Sequence, residues 1–407
     1  MLRSNRCSNS GYFGGVNPGK SPFELAALAT AALPGLRVTE VRSPQFDDEF
    51  ASGTVVVDAG GDAWSVRASK IPSTESAVLR NRGVTEFLCE RSAAGVLPFR
   101  VPKIVGVAAT SPDLFATVST FVGGHPLNEN ELYSAGLLPA SLGRAFAALH
   151  QIRPEHLSVF SPQVVTSSQT RSQWSTLLEQ IGHQIPGRLR KRWNVALDED
   201  TLWTYTPRVV HGDLRAENIL VNEGAVWALT DFSSLRVDDP AVDVACLVPM
   251  AGDEFMREFF AAYSDRIETP DLHLLTRAQL YSELAVAEWL QFGLQTNDST
   301  VVSEATAMIA DLDADLAGSM LVASSRPVKE IHFTLEEEPL NRVWRGGQDA
   351  AADSREERPH TALPAGGEPG STGVPIVDLP ESPIFGEPAL EDATLTEVLD
   401  PSGNSDR

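Results

Sequence analysis

The strongest constraint in this chain is a run of polar residues set between apolar ones. Residues 207–231 read PRVVHGDLRAENILVNEGAVWALTD. The apolar runs VV, ILV and AVWAL predict a strand–loop–strand pair, because β-branched and aromatic residues suit a half-buried pleated surface. HGDLRAEN then has to be the loop. Its polar backbone and side chains must find partners or face an opening, since buried unpaired polar groups are costly. The spacing suggests chemistry. Asp213 leads Asn218 by five residues, and Asp231 follows 13 later, after a further apolar strand. A carboxylate and an amide oxygen, each at a strand end, can converge on one magnesium ion, which takes one or two carboxylates plus substrate phosphates. Asp213, early in the loop, is placed to accept a proton from an attacking hydroxyl. Phosphoryl transfer asks little more of a protein than positioning and charge neutralisation.

Around this loop the pattern changes twice. SPFELAALATAA (21–32) predicts a helix with Ser21 as N-cap and Pro22 at its first position. VTEVRS, ASGTVVVDA and AWSVRAS, within 38–70, predict strands. VTEFLCERSAAG predicts a helix, and IVGVAA and LFATVSTFV predict two more strands. After GGHPL (123–127) the chain turns helical: SLGRAFAALHQI (141–152) puts Leu142, Ala145, Phe146 and Leu149 on one face. A small antiparallel β lobe with one helix is therefore followed by a larger helical lobe. The expected organisation is a flexible 1–20, an N-lobe at 21–122, a C-lobe at 123–324 and a disordered tail at 325–407. The tail carries 17 acids against 7 basic residues and lacks apolar periodicity. It reads as solvated, with VPIVDL and LTEVL as candidate docking motifs for a protein partner.

Composition excludes several classes of function. The net charge of −23 argues against nucleic acid, whose phosphates want a basic face, and against an anionic membrane surface. Cys7, Cys89 and Cys246 are far apart, as expected of reduced thiols in a cytoplasmic protein. Residues 1–20 lack the apolar run of a secretory signal, and no stretch is apolar for about 18 residues as a membrane span requires.

VVHGDLRAENILV followed by ALTDFSSLRVDDPAVDVA resembles the catalytic loop and metal motif of the aminoglycoside phosphotransferase and choline kinase-like family, which is related to the protein kinases. SPFELAALATAALPGL, LPFRVP and LRVDDPAVD extend the resemblance over roughly 21–322, toward the actinobacterial phosphotransferases grouped with macrolide phosphotransferases. The resemblance implies an α+β, protein kinase-like two-lobe fold. It also implies transfer of the γ-phosphoryl of ATP or GTP to a hydroxylated small molecule, with Mg2+ as cofactor. It casts Asp213 as base or orienter of the acceptor hydroxyl, and Asn218 and Asp231 as magnesium ligands. His211 would brace the loop, and Arg215 would meet phosphate or an acidic neighbour. Asp243 would anchor the loop backbone, or merely cap a helix. In the N-lobe, Arg67 takes the place of the phosphate-facing cation, with Lys70 as the second choice. Glu86 or Glu75 would be its partner, and Phe121, in the hinge STFVGG, would pack on the base. The phosphate-covering turn would lie near 42–53, although Asp47, Asp48 and Glu49 there are acidic. Asp253, Glu254, Glu283 and Glu288 are candidates to draw a cationic acceptor. Two other readings remain: a metal-dependent hydrolase built on His211, Asp213 and Asp231, and a nucleotide-binding kinase-like scaffold with little turnover.

Overall fold

The structure, a computed structural model, describes residues 19–42, 46–47, 51–133, 136–316 and 318–322. All of them belong to one unit of the chain, which ends at Ile331. The expectations for 1–18, for the tail beyond 322 and for Asp48 and Glu49 lie outside the described residues.

Helix α1 (Pro22–Ala32) starts where the sequence asks: Ser21 and Glu24 form a reciprocal capping box, with Pro22 in the first turn. Strands β1 (Val38–Val41), β2 (Phe46–Asp47), β3 (Ala51–Asp58) and β4 (Ala63–Ser69) follow. Helix α2 (Glu75–Ala93) then leads into β5 (Ile104–Ser111) and β6 (Leu114–Thr120). The sheet is antiparallel in the order β1-β3-β4-β6-β5, with β2 on β3. α1 covers the sheet with one leucine and three alanines: Leu25, Ala26, Ala29 and Ala32 pack on Val56, Val66, Ala68, Ala116 and Val118. α2 begins well before the expected VTEFLCERSAAG. Thr74 caps it by accepting from the Ala77 amide, and its polar first half is held by contact rather than by apolar pattern. Gly83 lies against Phe160, whose ring would sit 2.6 Å from an added Cβ, so any larger residue would push the helix off its neighbour.

A short β7 (His125–Pro126) precedes α3 (Leu138–His150), α4 (Ser167–Ile181) and α5 (Gly187–Asp198). Next come β8 (Arg208–Val210), β9 (Ile219–Asn222), β10 (Ala225–Leu229) and β11 (Arg236–Asp238). Helices α6 (Ala241–Val244), α7 (Asp253–Ser264), α8 (Leu274–Thr296) and α9 (Ser299–Leu316) complete the lobe. β9 pairs with both β10 and β7, while β8 pairs with β11. The larger core includes the fully buried Phe146, Trp193 and Phe259, each worth about 1.5–3 kcal/mol of burial. It also takes in Val84 and Leu88 of α2 and Leu97, Phe99 and Val101, so the two lobes share apolar packing. Backbone hydrogen bonds join them as well: the Arg100 amide donates to Trp227 O (2.9 Å) and the Leu229 amide to Arg100 O (3.1 Å). The Arg100 guanidinium lies 3.8 Å over the Trp227 ring. No helix among the described residues is long and apolar enough to cross a membrane.

Candidate active site

The loop of 211–218 leaves β8 and enters β9, and its backbone is fixed from behind by one carboxylate. Asp243, fully buried on α6, accepts from the His211 amide (2.8 Å) and the Gly212 amide (2.9 Å). His150 Nε2 lies 3.1 Å from the same carboxylate, and His150 Nδ1 lies 2.9 Å from the Tyr263 hydroxyl. Burial alone would push the Asp243 carboxyl up. The His150 hydrogen bond and charge, then His211 and the Gly212 amide, hold it below the usual carboxylate range. Gly212 has φ +85°, and a Cβ there would fall 2.3 Å from both Arg236 Nη1 and Ser234 O, so only glycine fits. Arg236 closes the other side: its Nη1 donates to Gly212 O (2.8 Å) and its Nε to Asp238 (2.8 Å).

His211 is wholly buried. Its Nε2 donates to Thr230 O at 2.8 Å, and its ring lies 4.8 Å from that of Phe232. The imidazole thus ties the loop to the end of β10 rather than facing the opening. Asn218 is buried, and its Nδ2 donates to Asp213 O at 3.2 Å, which leaves Oδ1 as its free acceptor. Asp231 stands just past β10 with φ 63°, a left-handed backbone uncommon for a non-glycine residue. Ser233 Oγ donates to its Oδ1 (2.7 Å) and Arg67 Nη1 to its Oδ2 (2.6 Å). Burial raises this carboxyl's proton affinity, but the Arg67 guanidinium, the Ser233 hydroxyl and His211 outweigh it and hold the group well below the ordinary range.

Asp213 itself lines a cavity of about 970 Å³. The cavity runs from the loop across Leu127, Val165, Val242, Met250 and Val286, an apolar stretch in a wall that also carries Glu129, Gln163, Gln173 and Glu217. Arg215 is turned to acidic neighbours: its Nη1 is 2.6 Å from Glu217, and its Nε is 3.5 Å from Asp213.

In the N-lobe the structure joins some expected residues and separates others. Arg67 lies on β4 opposite Gly53 and Thr117 and reaches Asp231 across the cleft. Lys70 stands one residue beyond β4 and is partly buried. Glu86 is not the partner of Arg67: it pairs with Lys103 at 2.7 Å, because Lys103 just before β5 faces this side of α2. Glu75 opens α2 and is exposed. Phe121 is partly buried just after β6, its amide donating to Ala63 O at 3.3 Å. Glu283 is likewise corrected as an acceptor-drawing acid. It is buried and takes a bidentate pair from Arg192 plus the Trp193 indole N–H (2.8 Å). Glu288 does line the cavity.

Sequence reasoning missed His150, Tyr263, Ser233 and the clasp made by Arg236. His150 left one trace: it follows Leu142 and Phe146 at intervals of four, so it continues the buried stripe of α3. Nothing local points to the other three.

The profile described as "Phosphotransferase enzyme family" matches residues 45–280. A macrolide 2′-phosphotransferase, MphH from Brachybacterium faecium, solved as the apoenzyme, superposes with a TM-score of 0.57 at 22% identity, covering 71% of this chain and 98% of that one. The GDP and kanamycin complex of APH(2″)-IIia superposes with a TM-score of 0.59 at 19% identity, covering 72% and 99%. A curated relative, the uncharacterized protein YcbJ of Bacillus subtilis (strain 168), is 33% identical over 67 residues, 16% of this chain; the match spans about a fifth (22%) of that relative. The structural likenesses establish the two-lobe kinase-like fold, and with the profile spanning more than half of the sequence, the chain belongs to the phosphotransferase enzyme family.

Proposed function

We propose that this protein is a cytoplasmic small-molecule kinase that moves the γ-phosphoryl of ATP or GTP to a hydroxyl of an acceptor bound in the helical lobe. The observation that carries the reading is the clamped loop: Asp213 lines the large cavity while Asp243 and Arg236 fix its backbone. In this reading 21–122 forms the nucleotide-binding lobe and 123–324 the catalytic and acceptor lobe. Asp213 orients the acceptor O–H and takes its proton as the oxygen bonds to phosphorus. The bond from phosphorus to the β–γ bridging oxygen breaks, and its electron pair leaves with the nucleoside diphosphate. Arg67 supplies charge on the nucleotide side.

The donor set fits magnesium. Asn218 Oδ1 and the Asp231 carboxylate are hard oxygens, one neutral and one held anionic. Two protein donors completed by nucleotide phosphates is the pattern this ion prefers. When bound there, the ion would neutralise phosphate charge. The acceptor matches the wall of the cavity: a hydroxylated molecule with an apolar body, of a size suited to about 970 Å³. The macrolide and kanamycin named for the similar structures are the first acceptors to try.

The second reading, a nucleotide-binding scaffold, draws on the Arg67–Asp231 ion pair, which sets a protein cation on a carboxylate that the kinase reading gives to the metal. One experiment separates the two: turnover of magnesium–ATP and magnesium–GTP across a library of hydroxylated compounds, with Asp213→Ala as control. A phosphorylated product is expected, with the variant slower by roughly 10²–10⁴-fold. A fully active variant overturns the assignment of Asp213; nucleotide binding without any product supports the scaffold.

A further inference from the structure

One cation in the cavity has no role in the account above. Arg80, on α2, lines the same cavity as Gly212, Asp213, Ser233 and Ser234. Helix α2 packs against 232–234, the segment that follows Asp231. The helix period explains where Arg80 lies. Arg80, Val84 and Leu88 fall at intervals of four and share one face. Val84 and Leu88 are buried in the core common to both lobes, so Arg80 continues their stripe to where the core stops and the cavity begins. The other two arginines of the cavity are already engaged. Arg215 holds Glu217 at 2.6 Å, and Arg236 holds Asp238 and Gly212 O, each at 2.8 Å. The exposed Arg80 side chain makes no hydrogen bond, ion pair or ring contact with any described residue. A guanidinium without a counter-charge, in a cavity that also holds a carboxylate base, is ready for an incoming oxyanion.

We propose that Arg80 is a further catalytic residue, which contacts the non-bridging oxygens of the phosphoryl group as it crosses to the acceptor. This rests on the kinase reading of the site. In the step, the acceptor oxygen bonds to the γ-phosphorus, the bond to the β–γ bridging oxygen breaks with its electron pair going to the nucleoside diphosphate, and the acceptor proton goes to Asp213. Arg80 stays protonated throughout and exchanges no proton. Charge in that transition state is spread over three equatorial oxygens, which a planar guanidinium meets with two parallel N–H donors. The task also needs filling. The Asp213 carboxylate repels an approaching phosphoryl, and Arg67, on the β-sheet side of the cleft, is drawn to Asp231. Arg80 enters from α2 on the cavity side, where neither the Asp243 clamp nor Arg67 supplies charge.

The test uses the full chain with Arg80→Gln and Arg80→Lys. Two measurements are made: steady-state turnover, and the rise in unfolding temperature on adding tetrafluoroaluminate, a planar phosphoryl mimic, to the magnesium–nucleoside diphosphate complex. Arg80→Gln is expected to lower kcat by roughly 10²-fold, the scale of losing one preorganised donor to a transition state. Both KM values should stay within about threefold and the unliganded unfolding temperature should not move, since a side chain paired with nothing stabilises no fold. The extra stabilisation by the mimic should be lost in Arg80→Gln and partly restored in Arg80→Lys. The proposal is overturned if kcat stays within threefold of wild type, if the loss lies wholly in acceptor KM, or if the mimic stabilises Arg80→Gln as much as wild type. The mimic measurement needs no acceptor, so it still decides the role of Arg80 if wild type turns over nothing, a result that would count against the kinase reading instead.

Discussion

In the helical lobe, Asp239, Asp243 and Glu283 are fully or almost fully buried, and each sits among its own donors. Asp239 takes two bonds from Arg277, one from the Tyr281 hydroxyl and one from the Ala241 amide. In the β-sheet lobe, the Arg67 side chain is 40% exposed, and Glu86 and Lys103 are 47% and 39% exposed. The contrast separates two uses of charge. A buried pair with every lone pair satisfied is rigid and cannot exchange partners without a large penalty. A half-exposed pair costs little to break, because water replaces the lost partner. The loop of 211–218 is thus fastened to the rigid lobe, and in the proposed kinase the half-exposed groups of the β-sheet lobe would re-pair when phosphates arrive.

The contrast can be broken most forcefully at Arg277. Arg277→Met leaves the buried Asp239 and the partly exposed Asp271 without their cation, so chemical denaturation should show a loss of about 3–5 kcal/mol. A loss below about 1 kcal/mol would mean that the helical lobe is not held this way.

Asp243→Asn should have a smaller effect, with a signature in pH. Its carboxyl is depressed in the folded state. The stability it contributes is therefore present above the unfolded value, about pH 3.9, and is lost as pH falls through the folded value. At pH 7 the variant should be less stable by about 1–3 kcal/mol, the cost of loosening buried amide donors. Denaturant titrations below about pH 4 should show the gap to wild type closing. A gap constant with pH would mean that the carboxylate charge is not what fastens the loop.

The smallest effect is expected at Glu86. Glu86→Gln removes the partner of Lys103 but leaves Arg67 on Asp231. The denaturation midpoint should not shift, and nucleotide KM should change less than twofold. A large rise in nucleotide KM would show that Glu86 swings to Arg67 once nucleotide binds, and would sharpen the view that this lobe re-pairs.

Much of this was legible because it is local. Ser21 and Pro22 wrote the start of α1, and β-branched, partly alternating runs wrote β3, β4 and β6. The loop between β8 and β9 announced itself by polarity inside an apolar run. The first half of α2 was not legible. Its apolar signal is weak, and the contact that holds it, Gly83 on Phe160, joins residues 77 apart. The partner of Arg67 was misassigned for the same reason: a helix face gives several acids, and which cation each meets depends on how strand, connector and helix lie in space.

By itself the sequence determined which donors the site holds. An Asp, an Asn and an Asp at set distances, each beside a strand, are oxygen donors of the kind that suit a cation and a hydroxyl, because residue type and spacing fix donor chemistry before packing does. Only the tertiary structure decided how that chemistry is held. His150, 93 residues before Asp243, Arg236 across from Gly212, and Arg80 on the cavity that Asp213 also lines, are brought into place by burial of a shared core. Burial is non-directional and acts between segments that are remote in sequence, so no local pattern records which polar groups it brings face to face.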